Sequence, residues 1–189
     1  MIMTHRGIQS RILHGMVLNY DEALMNGTSL DVRLGTVFKR EVPGTDVAED
    51  EYAMLNLGQR DPINTERIEL EEGEDAEPLL LYPGQFVLAA TMERFNLPLD
   101  VSAEFRLKSS VGRMALSHAL AVWCDPGWEG HLTLELHNIS QHHVVALRPG
   151  DRIGQMIFHE HEKVSTLYDY GKRGQYNGDV EPEAAKPAE

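Results

Sequence analysis

The sequence predicts a mainly β chain with one short N-terminal helix, and three observations carry that prediction. The first is alternation. Val101, Ala103, Phe105 and Leu107 interleave with Ser102, Glu104, Arg106 and Lys108, and Leu132, Leu134 and Leu136 interleave with Thr133, Glu135 and His137. A period of two is the signature of a strand with one buried face. The second is punctuation: Tyr82-Pro83-Gly84-Gln85, Asp125-Pro126-Gly127-Trp128 and Arg148-Pro149-Gly150-Asp151-Arg152 each combine a fixed φ with a permissive glycine. Short strands separated by such turns point to a barrel or sandwich. The third is size: 189 residues, 42% of them hydrophobic, suffice for one self-standing core.

Taken in order, Thr4 is placed to cap a packing helix in which Ile8, Ile12, Leu13 and Met16 recur at helical spacing, ending near Gly15 or Asn19. Asn26-Gly27 turns the chain into an alternating strand from Ser29 to Gly35. From Glu41 to Pro78 acidic residues and turn formers dominate, and this stretch reads as solvated loop. A short buried strand follows over Phe86 to Thr91, then the strand Val101 to Leu107, the strand through Glu135, and apolar strands at Val144 to Leu147 and Ile153 to Phe158. Residues 1–167 thus form the barrel domain. Residues 168–179, with Tyr168, Tyr170, Tyr176, Lys172 and Arg173 among glycines and asparagines, read as a flexible arm suited to cover a nucleotide, and residues 180–189 as a disordered acidic tail.

Composition excludes several roles. With 17 basic and 30 acidic residues the net charge is −13, which opposes binding to a nucleic-acid polymer or an anionic membrane. No signal peptide and no membrane-spanning run is expected. The single cysteine, Cys124, forbids an internal disulfide and a Cys-x-x-Cys knuckle, in keeping with a cytoplasmic setting, the host's if the source is viral.

The chemistry centres on Val101 to Asn138. After the first strand, Lys108-Ser109-Ser110-Val111-Gly112-Arg113 gathers two hydroxyls, a glycine and two cations at a strand end, a candidate cradle for phosphate. Glu135 stands on the strand face opposite three leucines. One cysteine cannot build a His/Cys/Cys zinc set, and the nine histidines show no zinc-site spacing, so they are read as surface groups.

In their order, Leu30-Asp31-Val32-Arg33-Leu34-Gly35, the Lys108 to Arg113 block, Asp125-Pro126-Gly127-Trp128, Leu134-Glu135-Leu136-His137-Asn138 and Pro149-Gly150-Asp151-Arg152-Ile153-Gly154-Gln155 resemble the dCTP deaminase branch of the trimeric dUTPase superfamily. That resemblance implies a distorted, jelly-roll-like dUTPase β-barrel, assembled as a homotrimer with active sites between subunits. It implies hydrolysis of dCTP, or a 5-substituted dCTP, to the corresponding dUTP and ammonia, supplying dUMP and dTTP synthesis without zinc, with Mg2+ carried on the triphosphate and no protein side chain as metal ligand. By the same resemblance Glu135 is the general acid/base, Ser109 and the Ala121 carbonyl position water, and Arg113 completes the catalytic set. The nucleotide-binding set is Lys108, Ser109, Ser110, Arg113, Asp125, Trp128, Gln155 and Tyr168, with Asp125 toward the deoxyribose hydroxyl, Gln155 at the phosphate end and Tyr168 in the closing arm.

Departures from the family pattern cluster near the base pocket. Lys108 stands where Arg is usual, Leu120 where Thr is usual, and Val122 and Trp123 replace other residues; Gln175 and Asp179 differ in the arm. Leu120, Val122 and Trp123 are therefore expected to set base selectivity. Two other readings stay open. One is dUTP diphosphatase activity, alone or following deamination to give dUMP, with Asp125 as base; the other is a non-catalytic nucleotide-binding regulator.

Overall fold

The computed structural model describes residues 1–44, 52–73, 75–121 and 123–187. Helix α1 (His5–Ile12) opens the chain, followed by β1 (Val17–Leu18), β2 (Leu30–Glu41), β3 (Thr65–Glu69), β4 (Leu79–Leu81), β5 (Phe86–Asn96) and β6 (Val101–Leu107). One turn of helix, α2 (Ser109–Gly112), leads to β7 (Leu116–His118), β8 (Trp123–Cys124), β9 (Glu129–Asn138), β10 (Val145–Leu147) and β11 (Arg152–Glu160), and α3 (Tyr170–Arg173) lies in the arm. The fold is mainly β.

The main sheet runs β7-β9-β5-β2-β11-β6-β8, with β1 added on β5 and β3 on β2; β4 and β10 form a separate ribbon. Every pairing is antiparallel. Register shifts interrupt β2 against β5 between Leu34 and Phe38, β5 against β9 between Ala90 and Arg94, and β11 against β2 between Arg152 and Gly154. Such bulges bend strands, and here the sheet curls into a half-barrel. The concave side holds Phe38, Phe95, Phe105, Phe158, Leu134, Leu136 and Met156, all fully buried. At Gly154 the strands come so close that a Cβ would lie 2.1 Å from the Phe105 ring, so only glycine fits.

Several expected boundaries move. Helix α1 stops at Ile12, because Gly15 turns the chain with φ 85°; Ile8, Ile12 and Met16 are buried, while Leu13 faces solvent. The Thr4 side chain makes no capping bond. The strands expected over Ser29 to Gly35 and Phe86 to Thr91 run on to Glu41 and Asn96, carried past their apolar runs by pairing across bulges. The stretch expected to be loop contains β3, which is charged on its exposed positions and owes its strand form to β2. Among the described residues no helix is long and apolar enough to cross a membrane.

Residues 181–187, whose composition reads as tail, lie against the sheet. Pro182 is buried, Arg67 holds Glu181 at 2.7 Å, and the Glu183 amide donates to Thr133 Oγ1 at 3.2 Å.

Candidate active site

Strand β9 places the central group. Leu134 and Leu136 point into the core, so Glu135 points to the opposite face, beside its cross-strand partner Leu88 on β5. Strand β7 flanks it on the other side and brings His118, whose Nε2 lies 3.2 Å from Glu135 Oε2. The imidazole packs against Phe105, ring centroids 4.9 Å apart. At 3.2 Å the two atoms are close but not aligned, and neither finds a hydrogen-bond partner.

Loss of water sets the state of both groups. Burial pushes the Glu135 carboxyl up to about 7, opposed in part by a bond to its own backbone, and holds the His118 imidazole down to about 4. The pair therefore sits near neutrality with His118 uncharged and Glu135 poised between its two forms. A carboxyl titrating near the working pH is suited to take a proton and return it.

Glu135 borders a cavity of about 510 Å3, bounded also by Ala121, Trp123, Asp125, Trp128, Leu88 and Thr133. The Asp125-Pro126-Gly127-Trp128 turn forms its floor, with Trp123 Nε1 donating to Asp125 Oδ1 at 3.1 Å. The arm is seated on that turn. The Tyr170 amide donates to the Pro126 carbonyl at 3.1 Å, Trp128 Nε1 to the Tyr176 carbonyl at 2.9 Å, and the Glu129 amide to Asn177 Oδ1 at 2.9 Å. Gly127, at φ 84°, leaves room for Asp169: a Cβ there would sit 2.2 Å from the carboxylate oxygen.

The cavity wall is acidic. Asp61, Asp125, Glu135, Asp179 and Glu183 border it, with His131, and no lysine or arginine does so among the described residues.

The structure brings together only part of the sequence-predicted set. Ala121, Trp123, Asp125, Trp128 and Glu135 meet at the cavity. Lys108, Ser109, Ser110, Arg113 and Gln155 do not border it. Ser109, Ser110 and Arg113 are exposed on and just after α2, and Lys108 is paired with the carboxylate of Asp31, which is 3% exposed and also accepts from Asn26 at 2.7 Å. Gln155 accepts from the Ser29 hydroxyl at 2.8 Å. Leu120 is 79% exposed, holds φ at 42° and does not border the cavity. Tyr168 is exposed beneath Arg173, whereas Tyr170 and Tyr176 border the cavity. Val122 lies outside the described residues.

His118, expected with the other histidines to be a surface group, is 7% exposed, because β7 lays it against β9 and Phe105; no site role was expected for Thr133. Strand β7 has three residues, too few to display an alternation that would have marked His118. Tyr170 and Tyr176 were visible only as members of the arm.

The geometry invites comparison with known proteins. A family model described as dCTP deaminase-like matches residues 2–161. This chain belongs to the dCTP deaminase-like family. Among curated relatives of this family member, "dCTP deaminase, dUMP-forming" from Mycolicibacterium vanbaalenii is 38% identical over 159 residues, covering 82% of this chain and 78% of the relative. The protein of the same description from Acidothermus cellulolyticus is 36% identical, covering 93% of this chain and 91% of the relative. Among solved structures, 2'-deoxycytidine 5'-triphosphate deaminase from Agrobacterium tumefaciens superposes with a TM-score of 0.61 at 21% identity, over 83% of this chain and 47% of that one. That superposition supports the fold of this dCTP deaminase-like chain.

Proposed function

We propose that the protein hydrolyses the 4-amino group of dCTP, and the single observation that carries this reading is the buried Glu135 carboxyl, raised to about 7, at the wall of the cavity. The net reaction consumes one water and releases one ammonia. Glu135 in its ionised form takes a proton from water as the oxygen adds to C4 of the cytosine; the proton passes to N3, and a second transfer lets the amine leave as ammonia. His118 closes one side of the carboxylate with a neutral ring, which keeps water out and the carboxyl pKa high. The Ala121 carbonyl, at the same cavity, and Ser109 are the groups expected to hold the water.

Ser109, Ser110 and Arg113 are exposed and away from that cavity in the same chain, and Asp61, Asp125, Glu135, Asp179 and Glu183 border the cavity among apolar residues. A triphosphate entering it meets repulsion unless cations arrive from elsewhere. This favours a site completed by the α2 turn of a second copy, as in a homotrimer. Magnesium in this reading travels on the triphosphate oxygens. Zinc is not part of the reading: the lone Cys124 is buried, its thiol pushed up to about 12, and cannot supply a thiolate pair.

A second step, cleavage of dUTP to dUMP, is favoured by a specific contact. Trp123 orients Asp125 at the cavity floor, where a carboxylate can activate water against the α-phosphate, and the relatives' descriptions are dUMP-forming. The test is incubation with Mg2+ and dCTP, 5-methyl-dCTP or dUTP, followed by separation of products. Ammonia with dUTP is expected from deamination alone and ammonia with dUMP from both steps. No product from any of the three would leave only a nucleotide-binding regulator.

A further inference from the structure

The cavity has a lid of unexpected origin. Residues 181–186 follow the arm and run back across the open face of the sheet, where Glu183, Ala184 and Ala185 themselves border the cavity. The root of this segment is held by main chain: Gly178 N donates to the Glu129 carbonyl at 2.7 Å and His131 N to the Asp179 carbonyl at 3.0 Å. Beyond Val180, which is exposed, the attachments change in kind. Glu181 is gripped by Arg67, through Nε at 2.9 Å and Nη2 at 2.7 Å, and Glu183 is paired with Lys39 at 3.3 Å. The Glu183 amide donates to Thr133 Oγ1, and the Lys186 amide to the Tyr176 hydroxyl at 2.9 Å.

Register gives these two cations a meaning. Arg67 pairs with Lys39, Lys39 with Leu88, and Leu88 with Glu135, so all four stand in one cross-strand row. Directly opposed residues share a sheet face, and neighbouring strands lie roughly 4.8 Å apart, which sets Lys39 roughly 10 Å from Glu135 along that row. The cavity wall has no lysine or arginine of its own among the described residues, so Lys39 and Arg67 are cations placed next in line, and both are occupied by carboxylates of the same chain.

We propose that Glu181 to Lys186 is an acidic strap acting as an internal stand-in for a polyphosphate: it latches onto Lys39 and Arg67, covers the cavity in the free protein, and is displaced when a polyphosphate takes those cations. The proposal deepens the nucleotide reading of this cavity and rests on it. The attachments fit the role. A main-chain root fixes one end of the strap, and Lys186 ties the other end to the arm, its Nζ 2.9 Å from Asp179 Oδ1 and donating to the Gln175 carbonyl at 2.8 Å. Between them, the half-exposed pairs of Glu181 and Glu183 are the contacts open to competition from a mobile anion.

The test uses the full chain and its Glu181→Gln/Glu183→Gln double variant, which keeps shape and removes the latch charges. Hydrogen exchange at the Glu183 and Lys186 amides is expected to speed up roughly three- to tenfold in the variant, the effect of losing two exposed ion pairs. Inorganic tripolyphosphate added to the wild type is expected to produce the same acceleration, and none in the variant. With dCTP, KM of the variant falls by a similar factor while kcat holds. Arg67→Gln gives an independent release of the same latch, read by exchange. Unchanged exchange in both variants would overturn the strap, and so would a raised KM in the double variant, which would make the segment part of the closed complex. Exchange needs no turnover, so a protein that releases no ammonia defeats the deaminase reading while the strap is still decided.

Discussion

The Glu135 cavity and the α2 turn are the two parts of the proposed site, and they differ in burial, charge and exposure. The cavity is half-open and mostly apolar, its charged residues are carboxylates, and burial there raises Glu135 to about 7; the turn is exposed, rich in hydroxyls, and carries Arg113 into solvent. Dry surroundings tune proton transfer but repel a polyanion, whereas an exposed turn can gather phosphate but cannot shift a pKa. Kept apart within one chain, the two parts meet in the proposed function only through a second copy, and each can be broken without the other.

The largest expected effect is on the dry half. Glu135→Gln removes the proton carrier and should lower ammonia release by about 10^3-fold or more, with the fold intact. The same variant should be more stable than wild type at pH 8. A carboxyl whose folded pKa is raised contributes stability fully below about 4.5, and loses it as pH rises through about 7. The gain is of the order of 2 kcal/mol, read as a higher denaturation midpoint at pH 8 and none at pH 4.

Next is the exposed half. Arg113→Ala should cost about 100-fold in kcat/KM for dCTP, in line with loss of a charged hydrogen bond. Mixing the two dead variants sharpens the contrast: if the halves come from different copies, unfolding and refolding them together restores activity at about a quarter of the sites. No recovery would place Glu135 and Arg113 in the same copy at each site.

A smaller effect should come from His118→Ala. Opening one side of Glu135 to water lowers its pKa, so the acid limb of kcat/KM moves from about 7 toward the ordinary carboxylate range. An unmoved limb would mean that His118 does not control the carboxyl. The smallest concerns Leu120, exposed at φ 42°, where glycine relieves a conformation that side chains disfavour: Leu120→Gly should stabilise by about 1 kcal/mol. Leu120→Thr compared on dCTP and 5-methyl-dCTP tests selectivity, and equal ratios would leave Leu120 as a loop residue only.

What could be read from the sequence was whatever a short window encodes. Strand β6, the α2 turn, the Asp-Pro-Gly-Trp turn and the outward position of Glu135 follow from alternation and turn chemistry. Strand β3 was hidden, because Thr65-Glu66-Arg67-Ile68-Glu69 has no apolar face and is held by a partner about 30 residues away. The acidic run after Asp179 read as solvated for the same reason: its cations, Lys39 and Arg67, are distant in sequence. His118 needed β7 and β9 to be paired before it could be seen beside Glu135. The order of motifs likewise said nothing about the distance between the α2 turn and the cavity.

Cys124, packed in the core beside β6, has a practical use. It borders the Glu135 cavity, but its thiol is buried and pushed up to about 12, so slow alkylation at neutral pH is the expected outcome, read by thiol titration of the native protein. The chain has no other cysteine. With that slow reaction as background, a thiol introduced at exposed Val180, where the strap begins, is placed to carry a fluorophore or spin label that reports strap movement directly.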